Sequence, residues 1–181
     1  MMALLVLCLR RFKGRAWAWI GLPAMMAAWA NIHAGVIYGF VLVAVYALAE
    51  WLEWLRPHVV LALKPGPPVP WRWKASLSTI PAGLVLSLTA AIAAVWIVNP
   101  SGPSVLLSPL AYSFDPFWHD LIVELRPPAG PDARLLYGAI ALMVLLQAVA
   151  WKRLDPAALL SFAVFALLAA RAQRSILMFA V

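Results

Sequence analysis

Apolar residues run in long blocks along this chain, and polar residues mark the gaps between the blocks. No charged residue occurs from Ala16 to Ala49. One straight helix over that run, at 1.5 Å per residue, would measure about 51 Å, well beyond a hydrocarbon core of roughly 30 Å. The run therefore predicts two helices, over 16–30 and 36–55, separated at the polar cluster Asn31-Ile32-His33-Ala34-Gly35. The second ends among Glu50, Trp51, Glu53 and Trp54, the mixture of charge and aromatic rings found where a helix leaves lipid. Lys64-Pro65-Gly66-Pro67-Pro68-Val69-Pro70 cannot continue a helix, because proline lacks the amide donor and restricts the residue before it. Trp71 and Trp73 alternate with Arg72 and Lys74, a membrane-surface anchor.

Residues 75–98 are again uncharged and predict a third helix, with Pro81 tolerated in its first turns. Asn99-Pro100-Ser101-Gly102-Pro103 stops it and opens a long loop over 99–134. A fourth helix is expected over 135–151. A fifth, over 156–181, opens with Asp155 as cap and Pro156 as first helical residue. Inside the loop, Asp115 and Pro116 begin a short helix that puts Phe117, Trp118, Leu121, Ile122 and Leu125 on one face. His119, Asp120 and Glu124 lie largely opposite, which suits a helix lying in the membrane interface. Residues 1–9 form an apolar stub before Arg10-Arg11-Phe12-Lys13-Gly14-Arg15. A signal peptide has its charges before the apolar run, so the stub reads instead as the tail end of a helix.

Composition changes the picture from helices to helices in lipid. Hydrophobic residues make up 65% and charged residues 12%, against roughly 45–50% and 25% in soluble domains. The expected fold is all-α, a polytopic transmembrane helical protein forming a single domain over 1–181, with about five membrane helices and the interfacial helix in the outer loop. Cys8 is the only cysteine, so no disulfide can form within the chain. The net charge of +7 sorts by position. Ten basic residues (Arg10, Arg11, Lys13, Arg15, Arg56, Lys64, Arg72, Lys74, Lys152, Arg153) fall on one side of the alternating topology, and Arg126, Arg134, Arg171 and Arg174 on the other. The richer side is cytoplasmic by the positive-inside rule, which implies a multi-pass protein of the bacterial inner membrane with its N-terminus in the cytoplasm. Charge sorted this way is topogenic. No nucleic-acid motif accompanies it, and no nucleic-acid partner is expected.

The same topology gathers Asn31, His33, Asn99, Glu124, Arg126, Arg171 and Arg174 at the outer face. Polar side chains at that depth are costly and commonly functional. They also have plain structural uses. Asn31 suits a helix cap, His33 can satisfy a nearby carbonyl, and Arg171 and Arg174, three apart, can snorkel to headgroups. The functional reading gives the two arginines a phosphate, which the guanidinium fork fits. Gly35 and Gly39 permit close helix packing. Asp120 and Glu124, four apart, could share a cation with His119 nearby, but no His-x-x-x-His or Cys pair occurs, so no metal is expected. No cofactor fingerprint, P-loop or nucleophile elbow occurs, and no cofactor is expected.

Four segments, in order, resemble a known family. Trp29-Ala30-Asn31-Ile32-His33-Ala34-Gly35 is similar to a Trp-x-Asn-x-His-Gly-Gly segment in bacterial multi-pass proteins that resemble GT-C type glycosyltransferases. These use polyprenyl-phosphate-linked sugars, as the protein O-mannosyltransferases do. Asn99-Pro100-Ser101-Gly102 looks like that family's Asn-Pro-x-Gly. Ile122-Val123-Glu124-Leu125-Arg126-Pro127 looks like its Ile-x-Glu-Trp-x-Ser-Pro, with Leu125 in place of Trp. The segment from Arg171 to Ala180 looks like its Ala-Arg-Asn-x-Pro-Leu-Phe-Ala, with Gln173 or Ser175 in place of Asn. The resemblance implies a lipid-linked phosphate bound at the outer face, with His33, Glu124 and Arg171 as first candidates for the pocket. It covers a C-terminal portion of such enzymes, as in a truncated remnant, and their N-terminal acidic motif has no counterpart here. The competing class is a non-enzymatic small subunit packed into a larger membrane complex, which Gly35, Gly39 and the ten tryptophans suit.

Overall fold

The computed structural model describes residues 1–11, 18–33, 35–63, 82–150 and 155–176. Among them the fold is helical throughout, with no strand. In chain order the helices are α1 (Met2–Arg11), α2 (Ala18–Ile32), α3 (Val36–Leu63), α4 (Gly83–Val98), α5 (Ser104–Phe114), α6 (Pro116–Leu121), α7 (Gly130–Val149) and α8 (Pro156–Arg171). Two 3₁₀ turns, Val123–Leu125 and Gln173–Ser175, follow α6 and α8. The expected proline-rich connection at 64–74, Pro81, Lys152-Arg153 and the segment beyond Ile176 lie outside the described residues.

The core forms where α2, α3, α4 and α8 meet. α2 and α4 make the most extensive pairing, and α3 packs against both α4 and α8. Leu5, Met26, Val36, Val43 and Val95 are fully buried there. At Gly39 the backbone of α3 presses on α2. A methyl group on Gly39 would stand 2.7 Å from Trp29 Cζ3 and 3.0 Å from Met26 Cε. Only the missing side chain allows that approach, so Gly39 serves the helix packing its spacing suggested.

Local chemistry sets several helix ends. Asp115 accepts a hydrogen bond from the Phe117 amide at 3.0 Å, and Asp155 accepts one from the Ala157 amide at 3.1 Å. Both cap helices that open with proline, the arrangement their sequences predict.

Other boundaries differ from the sequence pattern. The 99–134 segment is largely helical rather than a loop, since α5 occupies Ser104–Phe114 despite Pro109 within it. The expected single helix from Asp115 to Arg126 is broken at Ile122, whose φ of −108° and ψ of 101° are extended. The face drawn for it divides accordingly: Phe117 and Leu121 are exposed, whereas Leu125 is buried. α3 continues past the Glu50–Trp54 girdle to Leu63. α7 starts at Gly130 rather than 135, which gives it 20 residues, a length of about 30 Å. α8 stops at Arg171 because Ala172 is extended, with φ −147° and ψ 128°.

Among the described residues, two stretches are long and apolar enough to cross a membrane, Val36–Leu55 and Val123–Val149. The described parts of the other apolar helices are shorter.

Candidate functional site

The four segments that carry the resemblance meet at one end of the bundle, through a series of hydrogen bonds. The first joins α4 to α2. Asn99 Nδ2 donates to the Ala30 carbonyl at 2.9 Å, and Asn99 Oδ1 accepts from the Ser101 amide at 2.9 Å. The Gly102 amide closes the turn onto the Asn99 carbonyl at 2.8 Å. Gly102 has a φ of +53°, a conformation that glycine adopts without steric cost. Asn99 is 8% exposed. Both ends of its amide are engaged in stapling two helix ends, which gives it a structural use here.

The second link is the junction between α2 and α3. Asn31 Nδ2 donates back to the Ala27 carbonyl at 2.8 Å, within α2. It therefore finishes α2 and does not cap α3. His33 Nδ1 accepts from the Gly35 amide at 2.7 Å. An accepting Nδ1 carries no proton, so the neutral ring bears its hydrogen on Nε2. His33 is exposed, and that N–H remains as a donor to a bound group.

The third link is the longest in sequence. Tyr38, in the first turn of α3, shares a hydrogen bond of 2.9 Å between its hydroxyl and Ser175 Oγ. Ser175 is 2% exposed. The fourth joins the turn after α8 to the segment before α7. The Gln173 amide donates to the Arg126 carbonyl at 3.0 Å, and Gln173 Nε2 reaches the Pro127 carbonyl at 3.4 Å. Leu125 and Pro128 are buried on either side of this strap.

The charged residues lie on the rim of this linked assembly. Glu124 and Arg126 are exposed on the strap. Arg171 is exposed in the last turn of α8, where a cation also meets the negative end of the helix dipole. Among the described residues, no hydrogen bond or ion pair joins His33, Glu124 and Arg171 to one another. Arg174 lies in the 3₁₀ turn Gln173–Ser175, and its side chain is outside the described set. The groups facing outward are a histidine N–H, guanidinium groups on two tethered segments, and one carboxylate. Such an arrangement can bind an anionic oxygen group, and the described residues include no cluster able to hold a metal ion.

Tyr38, Gln173 and Ser175 are the linking residues that sequence reasoning did not single out as site residues. The available clue was the cost of a lone hydroxyl in an apolar helix, which obliges a buried tyrosine to find a partner. The opposite end of the bundle repeats that rule: Arg10 Nε donates to the hydroxyl of Tyr46 at 3.5 Å. Comparison with protein-family models, with curated proteins and with solved structures finds no match for this chain.

Proposed function

We propose that this chain is a multi-pass α-helical protein of the bacterial inner membrane, N-terminus in the cytoplasm, whose outer end holds the phosphate of a lipid-linked group. Residence in lipid is supported by α7. Leu142, Met143, Val144, Leu145 and Leu146 follow one another and are between 41 and 61% exposed. Consecutive helical residues point about 100° apart, so these five cover every side of the helix. A helix that is apolar all round needs an apolar surrounding.

The phosphate site rests on one observation, the tethering of Gln173 to Arg126 and Pro127, which brings two arginine-bearing segments beside each other. His33, Arg126, Arg171 and Arg174 are its proposed binding residues, with Asn31 and Asn99 shaping its edge and Glu124 balancing charge. The resemblance to GT-C type glycosyltransferases makes a polyprenyl-phosphate-linked sugar the natural ligand. Transfer of the sugar by this chain alone is not part of the proposal, because the acidic motif those enzymes use has no counterpart here. The second reading, a non-enzymatic subunit of a larger membrane complex, is favoured by α7 itself, whose bare surface offers a long face to partner helices.

Two measurements test the proposal. In a Cys8→Ser background, Ser101→Cys should react with an impermeant maleimide from outside, and Gly66→Cys only from inside. In nanodiscs, farnesyl phosphate should bind the wild-type chain, and Arg171→Gln should weaken it by about 1.5–3 kcal/mol, the usual worth of a hydrogen bond to a charged group. Binding that ignores Arg171, or none at all, favours the subunit reading.

A further inference from the structure

We propose that Tyr38 is a ligand-contact residue of the outer site, donating its phenolic proton to a phosphate oxygen; this rests on the outer-site reading above. Two hydroxyl groups hydrogen-bonded to each other use one of their two protons, so one O–H is left without an acceptor in the pair. The Tyr38–Ser175 bond is the only hydrogen bond either hydroxyl makes among the described residues.

Burial decides which proton remains. Ser175 is 2% exposed, whereas Tyr38 is only half-buried. If Tyr38 donated, the serine proton would be left in a closed space with no acceptor among the described residues, a costly arrangement. If Ser175 donates, its proton is satisfied and the free proton belongs to Tyr38, on the more open side. The second polarity is the favoured one. It also strengthens Tyr38 as a donor, because an oxygen that accepts a hydrogen bond gives up its own proton more readily.

Position gives this donor a use. Ser175 follows Gln173, which is tethered to Arg126 and Pro127, and Arg171 lies at the end of the same helix. The Tyr38 hydroxyl therefore stands beside the segments that carry the arginines. Guanidinium groups attract an anionic phosphate without fixing which oxygen faces inward. A phenol held by a buried serine fixes one oxygen at one point. The ligand class is a phosphate ester or free phosphate, and the tyrosine adds an uncharged, directional contact to two cationic ones.

Paired variants separate this role from simple structural bonding. Tyr38→Phe keeps the ring and removes the donor. Ser175→Ala removes the buried partner and keeps the donor. In nanodiscs with farnesyl phosphate as probe, Tyr38→Phe should weaken binding about ten-fold, and Ser175→Ala no more than about three-fold. The double variant, which leaves no unpaired hydroxyl in the core, should bind as weakly as Tyr38→Phe alone. Equal losses in both single variants would mean that the pair only holds α3 to the last turn, and would overturn the proposal. Retained binding in Tyr38→Phe overturns it as well, while leaving the outer site standing. Absence of binding by the wild-type chain removes the outer site and this inference together. Competition by inorganic phosphate assigns the contact to the phosphate group itself; competition by farnesol with phosphate silent overturns it.

Discussion

α3 and α7 read almost alike as sequence, and the structure treats them in opposite ways. Both contain a stretch apolar enough and long enough to cross a membrane. Half of the Val36–Leu55 window is buried against other helices, while only 6% of the Val123–Val149 window is. The difference lies in a few residues. α3 has Gly39, where Trp29 and Met26 press in, and Tyr38 and Tyr46, whose hydroxyls bond to Ser175 and Arg10. α7 has Gly138, but nothing lies within 4 Å of where its side chain would be. Apolarity suits both helices to surroundings out of water. It does not choose between protein and lipid, because lipid tails are as apolar as leucine. Small residues and single hydroxyls decide how far each helix packs against the rest of the chain.

The contrast can be broken experimentally, most forcefully at its buried side. Met26→Ala, at the fully buried contact with Gly39, should cost about 2–5 kcal/mol of folding stability. Leu142→Ala, exposed in the middle of α7, should change it by no more than about 0.5 kcal/mol. Reversible unfolding in bicelles reads both, and comparable losses would show that α7 is packed after all. The next largest effect tests the surroundings of α7. Leu142→Arg should raise its insertion free energy by about 2.5–3.5 kcal/mol if lipid surrounds it, measured by glycosylation mapping of insertion. An unchanged insertion efficiency would place that face in water or against a polar partner. The smallest effect sharpens the comparison at a shared feature, the helix start. Asp155→Ala removes the cap of α8, which packs against α3, and should cost about 0.5–2 kcal/mol in the same unfolding assay. A neutral result would show that α8 is held by its packing alone.

These differences mark how far the sequence could be read. The caps Asp115 and Asp155 were legible because capping involves residues two positions apart. Gly39 was legible because its spacing from Gly35 is local too. The start of α7 was not, since nothing in Ala129-Gly130-Pro131-Asp132 announces a long apolar helix. α5 was hidden by Pro109, which looks like a loop residue yet lies within a helix. Asn99 was legible as a candidate from its place in the topology and from Asn99-Pro100-Ser101-Gly102, but its bonds to Ala30 and Ser101 depend on the fold. The pairing of Tyr38 with Ser175 spans 137 residues, and no pattern along the chain can announce a contact between two hydroxyls that far apart. His33 and Arg171 were visible as costly polar groups in an apolar chain. Their separate roles, one ring nitrogen held by Gly35 and a guanidinium left on the rim, depended on the fold.

The span of that hydroxyl pair also fixes an order of events in synthesis. A ribosome adds roughly 5–20 residues each second, so about 7–30 seconds pass between the making of Tyr38 and of Ser175. Once Asn99 has been made, α2, α3 and α4 are able to pair, well before the last helix. The end that carries His33 and Arg126, in contrast, stays open until the turn after α8 arrives to bond with Tyr38 and to tether the strap at Arg126. These two links are therefore the last that the growing chain makes, and any interruption before Gln173 leaves a largely assembled bundle without them.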